Sequence, residues 1–272
     1  MPLLAEDDTD PLGRKENELL WPERFSIDDY PSVERGEISS RMWASIYQQR
    51  PSPAEGNRFK RQWFEQRYPG GFPRETITEG CGEISPGVFD SYSSWEAPLW
   101  TCLAIDCASK TGAMNDYSAL VTVATNGVNY YIVDVVRERL EFSDLLRRVQ
   151  EVYHKWGPQR IYIESASSGI AIEQEIRRST NLPVIGVPAT IKKEARATAI
   201  EPLFESGRVF LPQGAPWIDM FVDECAAFPN GRHDDMVDAC VLGLSKIDEI
   251  ALNYFASQES PFRSLDFDLL QT

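Results

Sequence analysis

Short apolar runs separated by polar breaks fill the chain from about residue 98 onward, and their period changes along the way. "LWTCLAIDCA", "YSALVTVAT" and "NYYIVDVVRE" carry near-continuous apolar stretches of strand length, and "NGV" between the second and third is a hairpin signal. They predict three antiparallel strands in a meander. The spacing then becomes helical in "SDLLRRVQEVYHKW", with Ser143 as N-cap and Gly157-Pro158 as the stop. "QRIYIES" predicts a fourth strand, "GIAIEQEIRRS" a helix and "PVIGVPA" a fifth strand. "KKEARATAIEPLFESG" predicts a helix ending at Gly207, "RVFLP" a short extended piece, and "PWIDMFVDECAAFP" and "DDMVDACVLGLSKI" two closing helices. A meander followed by alternating helix and strand is the order of an α/β layer fold with a mixed sheet flanked by helices.

The first hundred residues differ in texture, being rich in Pro, Gly and charge. Two helical pieces are predicted, at about 30–47 and 58–66. The rest predicts ordered loop, or an irregular arm lying on another surface. Trp21, Trp43, Trp63 and Phe64 predict that this arm packs rather than floats. The expected division is an N-terminal arm over 1–97, a folded domain over 98–247 and an acidic tail over 248–272.

Composition supports a packed core: 42% hydrophobic residues, with 13 Phe, 10 Tyr and 7 Trp. The five cysteines (Cys81, Cys102, Cys107, Cys225, Cys240) form no CxxC pair, which predicts free thiols in a reducing cytoplasm. No apolar run approaches the ~20 residues of a membrane span, and the acidic N-terminus lacks the layout of a signal peptide. The net charge of −15 at first argues against a nucleic-acid partner. Residues 1–30 hold nine acids against three bases, and residues 247–272 hold five against one. The tails therefore supply most of the negative field, and the body between them is left with room for a basic groove.

The candidate chemistry is carboxylate chemistry. Asp106 ends the first strand and Glu164 ends the fourth. If those strands lie side by side in parallel, both acids emerge at one edge, where burying them is costly without compensation. "GRHDDMVDAC" adds Asp234, Asp235 and Asp238 beside His233, at the start of the last helix. Asp234 and Asp238 are four apart and face the same way on a helix. The helix macrodipole accounts for an acid in the first turn, but not for Asp238 a turn further in among apolar residues. Hard oxygen donors without a Cys or His cage select Mg²⁺ or Mn²⁺. Two such ions about 4 Å apart serve phosphoryl displacement. Taken singly, each acid has a plainer reading: Asp234 as an N-cap, Glu164 as an ion-pair partner, Asp106 as a turn former, His233 as a loop residue or cap. The metal reading requires the acids to converge, and acids each neutralised by its own base would count against it.

The ordered series "LAIDCASKTGAMNDYSALVTV", "IYIESASSGIAIEQEI", "KKEARATAIEPLFESGRVFLP" and "FPNGRHDDMVDA" resembles the nuclease domain of tailed-phage terminase large subunits, which has a ribonuclease H-like fold. The preceding "LWPERFS…ASIYQQRPSPAEGNRFKRQWF" resembles the stretch joining motor to nuclease in that family, so the likeness spans about 14–246. It implies an endonuclease that cuts concatemeric double-stranded phage DNA during genome packaging, in the host cytoplasm, with two Mg²⁺ or Mn²⁺ ions. Asp106, Glu164 and Asp234 or Asp235 would be the catalytic metal ligands, Asp238 a further ligand or a support. Asp116 falls where the family often carries an accessory acid, and its plainer reading is a loop residue capping the second strand. Lys110, Lys192, Lys193, Arg196 and Arg208 would meet DNA phosphates, or else line solvated faces, and phosphate contacts position DNA without reading sequence. The implied partners are a portal, a small terminase subunit and an ATPase motor. One departure is large: no GxxxxGK[ST] phosphate loop exists here, so the residues at hand carry no packaging motor and no ATP site. That predicts the C-terminal part of a longer protein, or the remnant of one. A docking module without catalysis and a Holliday-junction resolvase are the competing readings. An actin-like ATPase is disfavoured by the lack of glycine-rich phosphate loops.

Overall fold

The computed structural model describes residues 1–5, 10–49, 58–68, 100–107, 117–165, 168–190 and 193–258, with 251–258 as backbone only. Its strands are β1 (Arg67–Tyr68), β2 (Trp100–Asp106), β3 (Ser118–Thr125), β4 (Tyr130–Glu138), β5 (Arg160–Ser165), β6 (Val184–Pro188) and β7 (Val209–Pro212). They form one mixed sheet in the order β1-β7-β4-β3-β2-β5-β6. β2, β3 and β4 make the predicted antiparallel meander. β5 runs parallel to β2 with Ile105 opposite Ile163, and β6 runs parallel to β5. This register is what places a site: one residue further along, Asp106 and Glu164 leave neighbouring strands at the same edge.

The helices are α1 (Ser40–Ile46), α2 (Phe142–Trp156), α3 (Ser168–Ser179), α4 (Lys193–Glu205), α5 (Ile218–Ala227) and α6 (Asp235–Gln258). Strand side chains alternate between faces, and both faces are covered, which is why the strands read as apolar runs rather than alternations. Cys102, Ala104, Val121 and Val123 pack on one side with α4, α5 and α6. Leu103, Ile105 and Leu120 pack on the other with Leu145, Val149 and Val152 of α2 and Ile172 and Ile176 of α3. The first face is lined with small residues, and α6 lies close against it. A methyl group added at Gly243 would stand 3.1 Å from Ala104 Cβ and 3.1 Å from Val123 Cγ2. Glycine at 243 therefore sets how near the acid-bearing helix comes to β2.

Several expectations shift at their edges. α2 begins at Phe142 with Glu141 at the N-cap, so Ser143 lies inside the helix, while Gly157 ends it in the left-handed conformation (φ 57°). The helix expected over 30–47 shrinks to 40–46, capped by Ser39, whose hydroxyl accepts from Met42 N at 3.3 Å. Pro31 and the left-handed Gly36 (φ 69°) hold the preceding residues in turns. The piece expected at 58–66 is a single 3₁₀ turn, Arg61–Phe64, followed by β1. Phe59 and Phe64 pack against Phe204 with ring centroids 5.0 and 5.1 Å apart, and Phe64 meets Phe221 at 6.1 Å. Of the flagged tryptophans, Trp63 is buried and Trp21 is exposed. α6 continues to Gln258, beyond the expected boundary at 247. Cys102, Cys225 and Cys240 are buried free thiols and Cys107 is a half-buried one; Cys81 lies outside the described residues. Among the described residues no helix is long and apolar enough to cross a membrane.

Candidate active site

The edge where β2 and β5 end is closed from one side by the first turns of α6 and α4. Asp234 and Asp238 share a base from α4: Lys193 Nζ donates to Asp238 Oδ2 and lies 3.4 Å from Asp234 Oδ2. Arg196, one turn along α4, donates to Glu164 Oε1. Asp235 faces the other way, 3.4 Å from Arg137 at the end of β4 and 3.9 Å from His233 Nδ1. Asp234 is not the capping group of α6. The amides of Met236 and Val237 instead go to Glu224 Oε1 on α5, at 2.6 and 3.3 Å.

Electrostatics tie Asp106 to this group. Burial pushes its carboxyl well above the ordinary value; the negative charge of Asp238 adds to that, Lys193 pulls back, and Asp235 and Glu164 push further up. Burial likewise drives Asp238 up to about 7, against the opposing pull of Lys193. Asp235 is raised by burial, with Arg137 opposing and Asp234 adding. Burial works against the Lys193 ammonium, but Asp238, Asp106 and Asp234 outweigh it and its pKa rises. These groups hold an excess of negative charge that the local bases only partly offset.

The structure thus brings the predicted acids to one edge but joins them through bases. Among the described residues no three Asp, Glu, His or Cys side chains are grouped tightly enough to hold a metal ion. Partly buried like charges need counter-charge, and Lys193, Arg196 and Arg137 supply it here. Arg208 does not join the site. It donates to Val128 O at 2.7 Å and lies next to Val209, which pairs with Tyr130. Through Thr125 that register leads to Trp100, the far end of β2 from Asp106, roughly 20 Å away at a strand rise of about 3.3 Å per residue. Lys110, Asp116 and Lys192 lie outside the described residues.

Four contributors escaped the sequence reading: Arg137, Glu224, Tyr117 and Arg139. Arg137 bridges Asp235 and Glu224, the latter at 3.5 Å. Its guanidinium also lies 3.9 Å from the centroid of the Tyr117 ring, which Arg139 approaches at 4.6 Å and His233 at 5.4 Å. Glu224 was legible in principle, as a carboxylate on the buried face of α5 beside Phe221 and Cys225.

The profile of the terminase RNase H-like domain matches residues 103–246. The chain belongs to that family. It is a terminase RNase H-like domain, and the mixed sheet with its flanking helices is the RNase H-like fold. No curated protein matches the sequence. Among solved structures, the large terminase of the thermophilic bacteriophage D6E in complex with ATP-gamma-S superposes with a TM-score of 0.55 at 9% identity, covering 88% of this chain and 57% of that one. The large terminase nuclease of thermophilic phage G20c with bound zinc is 22% identical, over 54% of this chain and 81% of that one, with a TM-score of 0.44. The human cytomegalovirus terminase nuclease domain is 13% identical, over 57% and 88% of the two chains, with a TM-score of 0.44. The D6E likeness speaks for the fold.

Proposed function

We propose that this terminase nuclease domain is a divalent-metal-dependent endodeoxyribonuclease that hydrolyses phosphodiesters of double-stranded DNA with two Mg²⁺ or Mn²⁺ ions. One observation carries the reading: Asp106 and Glu164 end adjacent parallel strands, and the turn bearing Asp234, Asp235 and Asp238 is electrostatically coupled to them. The donor set fits the proposed ions, being made of hard carboxylate oxygens in negative excess. Bound there, the ions would supply charge neutralisation of the scissile phosphate and Lewis-acid activation of water. Asp106, Glu164, Asp234 and Asp235 are the proposed catalytic ligands, with Asp238 a further ligand from the next turn. His233, 3.9 Å from Asp235, and Asp116 are proposed accessory residues. Lys193, Arg196, Lys110 and Lys192 are the proposed contacts to DNA phosphates, which fix position rather than sequence. Cutting of concatemeric phage DNA, together with a portal, a small terminase subunit and an ATPase motor, is the proposed setting.

The test is cleavage of plasmid DNA with Mn²⁺. The native chain is expected to cut, and Asp106→Ala to be inactive; no native cleavage, or undiminished cleavage by the variant, overturns the reading. One observation favours a second reading, a docking module that does not cut: Glu164, Asp234, Asp235 and Asp238 each already face a base. Calorimetric titration with Mn²⁺ separates the two, since a docking module has no carboxylate-dependent metal binding.

A further inference from the structure

α4 opens with bases where helix physics disfavours them. The N-terminal end of a helix carries the positive pole of the macrodipole, so cations there cost stability and acids gain it. Lys193 is nevertheless the first residue of α4 and Arg196 lies in its first turn. Both are turned onto the acidic edge: Lys193 to Asp238 and Asp234, Arg196 to Glu164. The favourable contacts with these acids offset the unfavourable helix position.

We propose that Lys193 and Arg196 form a latch on the acidic edge, binding its carboxylates in the metal-free protein, yielding them to divalent ions and passing to DNA phosphates, so that metal and DNA binding reinforce each other. This rests on the metal-dependent reading above. The oxygens concerned are the ones a metal needs. Asp238 Oδ2 and Asp234 Oδ2 face Lys193, and Glu164 Oε1 faces Arg196. An ammonium and a dication repel one another strongly in a partly desolvated space, so occupation by metal expels the lysine. Lys193 is free to leave, because its side chain is 42% exposed while that of Asp238 is 9% exposed. Arg196 is held incompletely: its Nε is buried and has no hydrogen-bond acceptor among the described residues. A phosphate offers both released bases charge-assisted bonds of the same kind as the carboxylates they left. Coupling of this sort is reciprocal: whatever DNA gains from bound metal, metal gains from bound DNA.

The latch predicts the direction in which removing a base moves metal affinity. Mn²⁺ is titrated calorimetrically into the metal-stripped native chain, Lys193→Met and Arg196→Met, each checked for fold by circular dichroism. Both variants are expected to bind Mn²⁺ more tightly, by about 5-fold or more, because a competing cation is gone. Lys193→Arg, which keeps the charge, is expected to resemble the native chain. In parallel, the anisotropy of a fluorescent DNA duplex is followed in EDTA and in Ca²⁺. The native chain is expected to gain DNA affinity with Ca²⁺, and both Met variants to lose most of that gain, a larger loss in Ca²⁺ than in EDTA. Mn²⁺ binding by the variants that equals or falls below native overturns the latch, as does an equal loss of DNA affinity in EDTA. If the native chain itself binds no Mn²⁺, the metal-dependent reading fails and the latch with it. Should Lys193→Met lose its fold, Arg196→Met carries the same test.

Discussion

Glu224 Oε1 accepts the backbone amide of Met236 at 2.6 Å, so a carboxylate on α5 caps the helix that presents Asp235 and Asp238. The same side chain lies 3.5 Å from Arg137, which also reaches Asp235 at 3.4 Å. Removing it uncaps α6 and leaves Arg137 short of one of its two counter-charges. Glu224→Ala is expected to destabilise the domain by about 3 kcal/mol, or roughly 6–12 °C in melting temperature, and to slow cleavage. Glu224→Gln keeps an oxygen for the two amides and removes a charge that burial already disfavours. It is expected to retain most of the stability. Paired melting curves check this, and equal losses in the two variants would remove the capping role.

Gly243 governs the distance between α6 and the sheet. A Cβ at this position already meets Ala104 and Val123 at 3.1 Å, and larger side chains have nowhere to go but into β2 and β3. Gly243→Val is expected to cost about 1–3 kcal/mol through overpacking and to lower cleavage by moving Asp238 away from Asp106. Gly243→Ala, which gains about 1 kcal/mol of helix propensity against a small steric strain, is expected to stay near native in both. A Val variant with native activity and melting temperature would show that the spacing is not set here.

Much of this was legible in the sequence because strand and helix periods are local. The meander follows from apolar runs and a hairpin signal, and the acids that end two of those runs follow from the sequence as well; that β5 lies parallel beside β2, which brings Asp106 and Glu164 to one edge, was a condition that only the sheet register supplies. What escaped is long-range. Nothing near Glu224 in the sequence announces that it caps a helix twelve residues away, and Arg137 reads as an ordinary strand-end base until Asp235 and Glu224 are seen around it. The position of Arg208 was hidden for the same reason. It follows α4 in sequence, as Lys193 opens it, but α4 runs away from the acidic edge and carries Arg208 to the far end of the sheet. The bases of α4 were legible as DNA contacts, whereas their grip on the acids was not, because spacing along one helix is silent about what faces it from another.

The domain boundary is a point where sequence texture and packing diverge. Texture places it near 98, yet Phe59, Trp63, Phe64 and Tyr68 are buried in the cores that hold the sheet, and β1 extends the sheet beside β7. A fragment 98–258 would lose three aromatic partners of Phe204, Phe221 and Tyr131. It is expected to be poorly soluble or to melt far below a fragment 58–258. In the longer chain, Phe64→Ala alone is expected to cost about 3–5 kcal/mol. Thermal melts of the two fragments check this, and equal stability would return the boundary to 98.

Asp106→Asn separates the chemistry of the site from its cost to the fold. The carboxyl of Asp106 titrates well above its ordinary 3.8 because it is buried among Asp238, Asp235 and Glu164. A group raised in the folded state favours folding below its unfolded value and loses that contribution as pH rises through the folded one. Charging this carboxylate therefore costs folding free energy as pH rises. Asp238, raised to about 7, erodes stability in the same direction between about pH 4 and 7. In EDTA the native chain is expected to melt lower at pH 8 than at pH 5. Asp106→Asn should flatten that slope and melt above native at pH 8, while abolishing cleavage with Mn²⁺. Melting curves at both pH values, with and without Mn²⁺, check the pair of outcomes. The same destabilisation by Asn at pH 5 and at pH 8 would mean that Asp106 serves the fold as an ordinary hydrogen-bonded side chain, and that its ionised form carries no strain for metal to relieve.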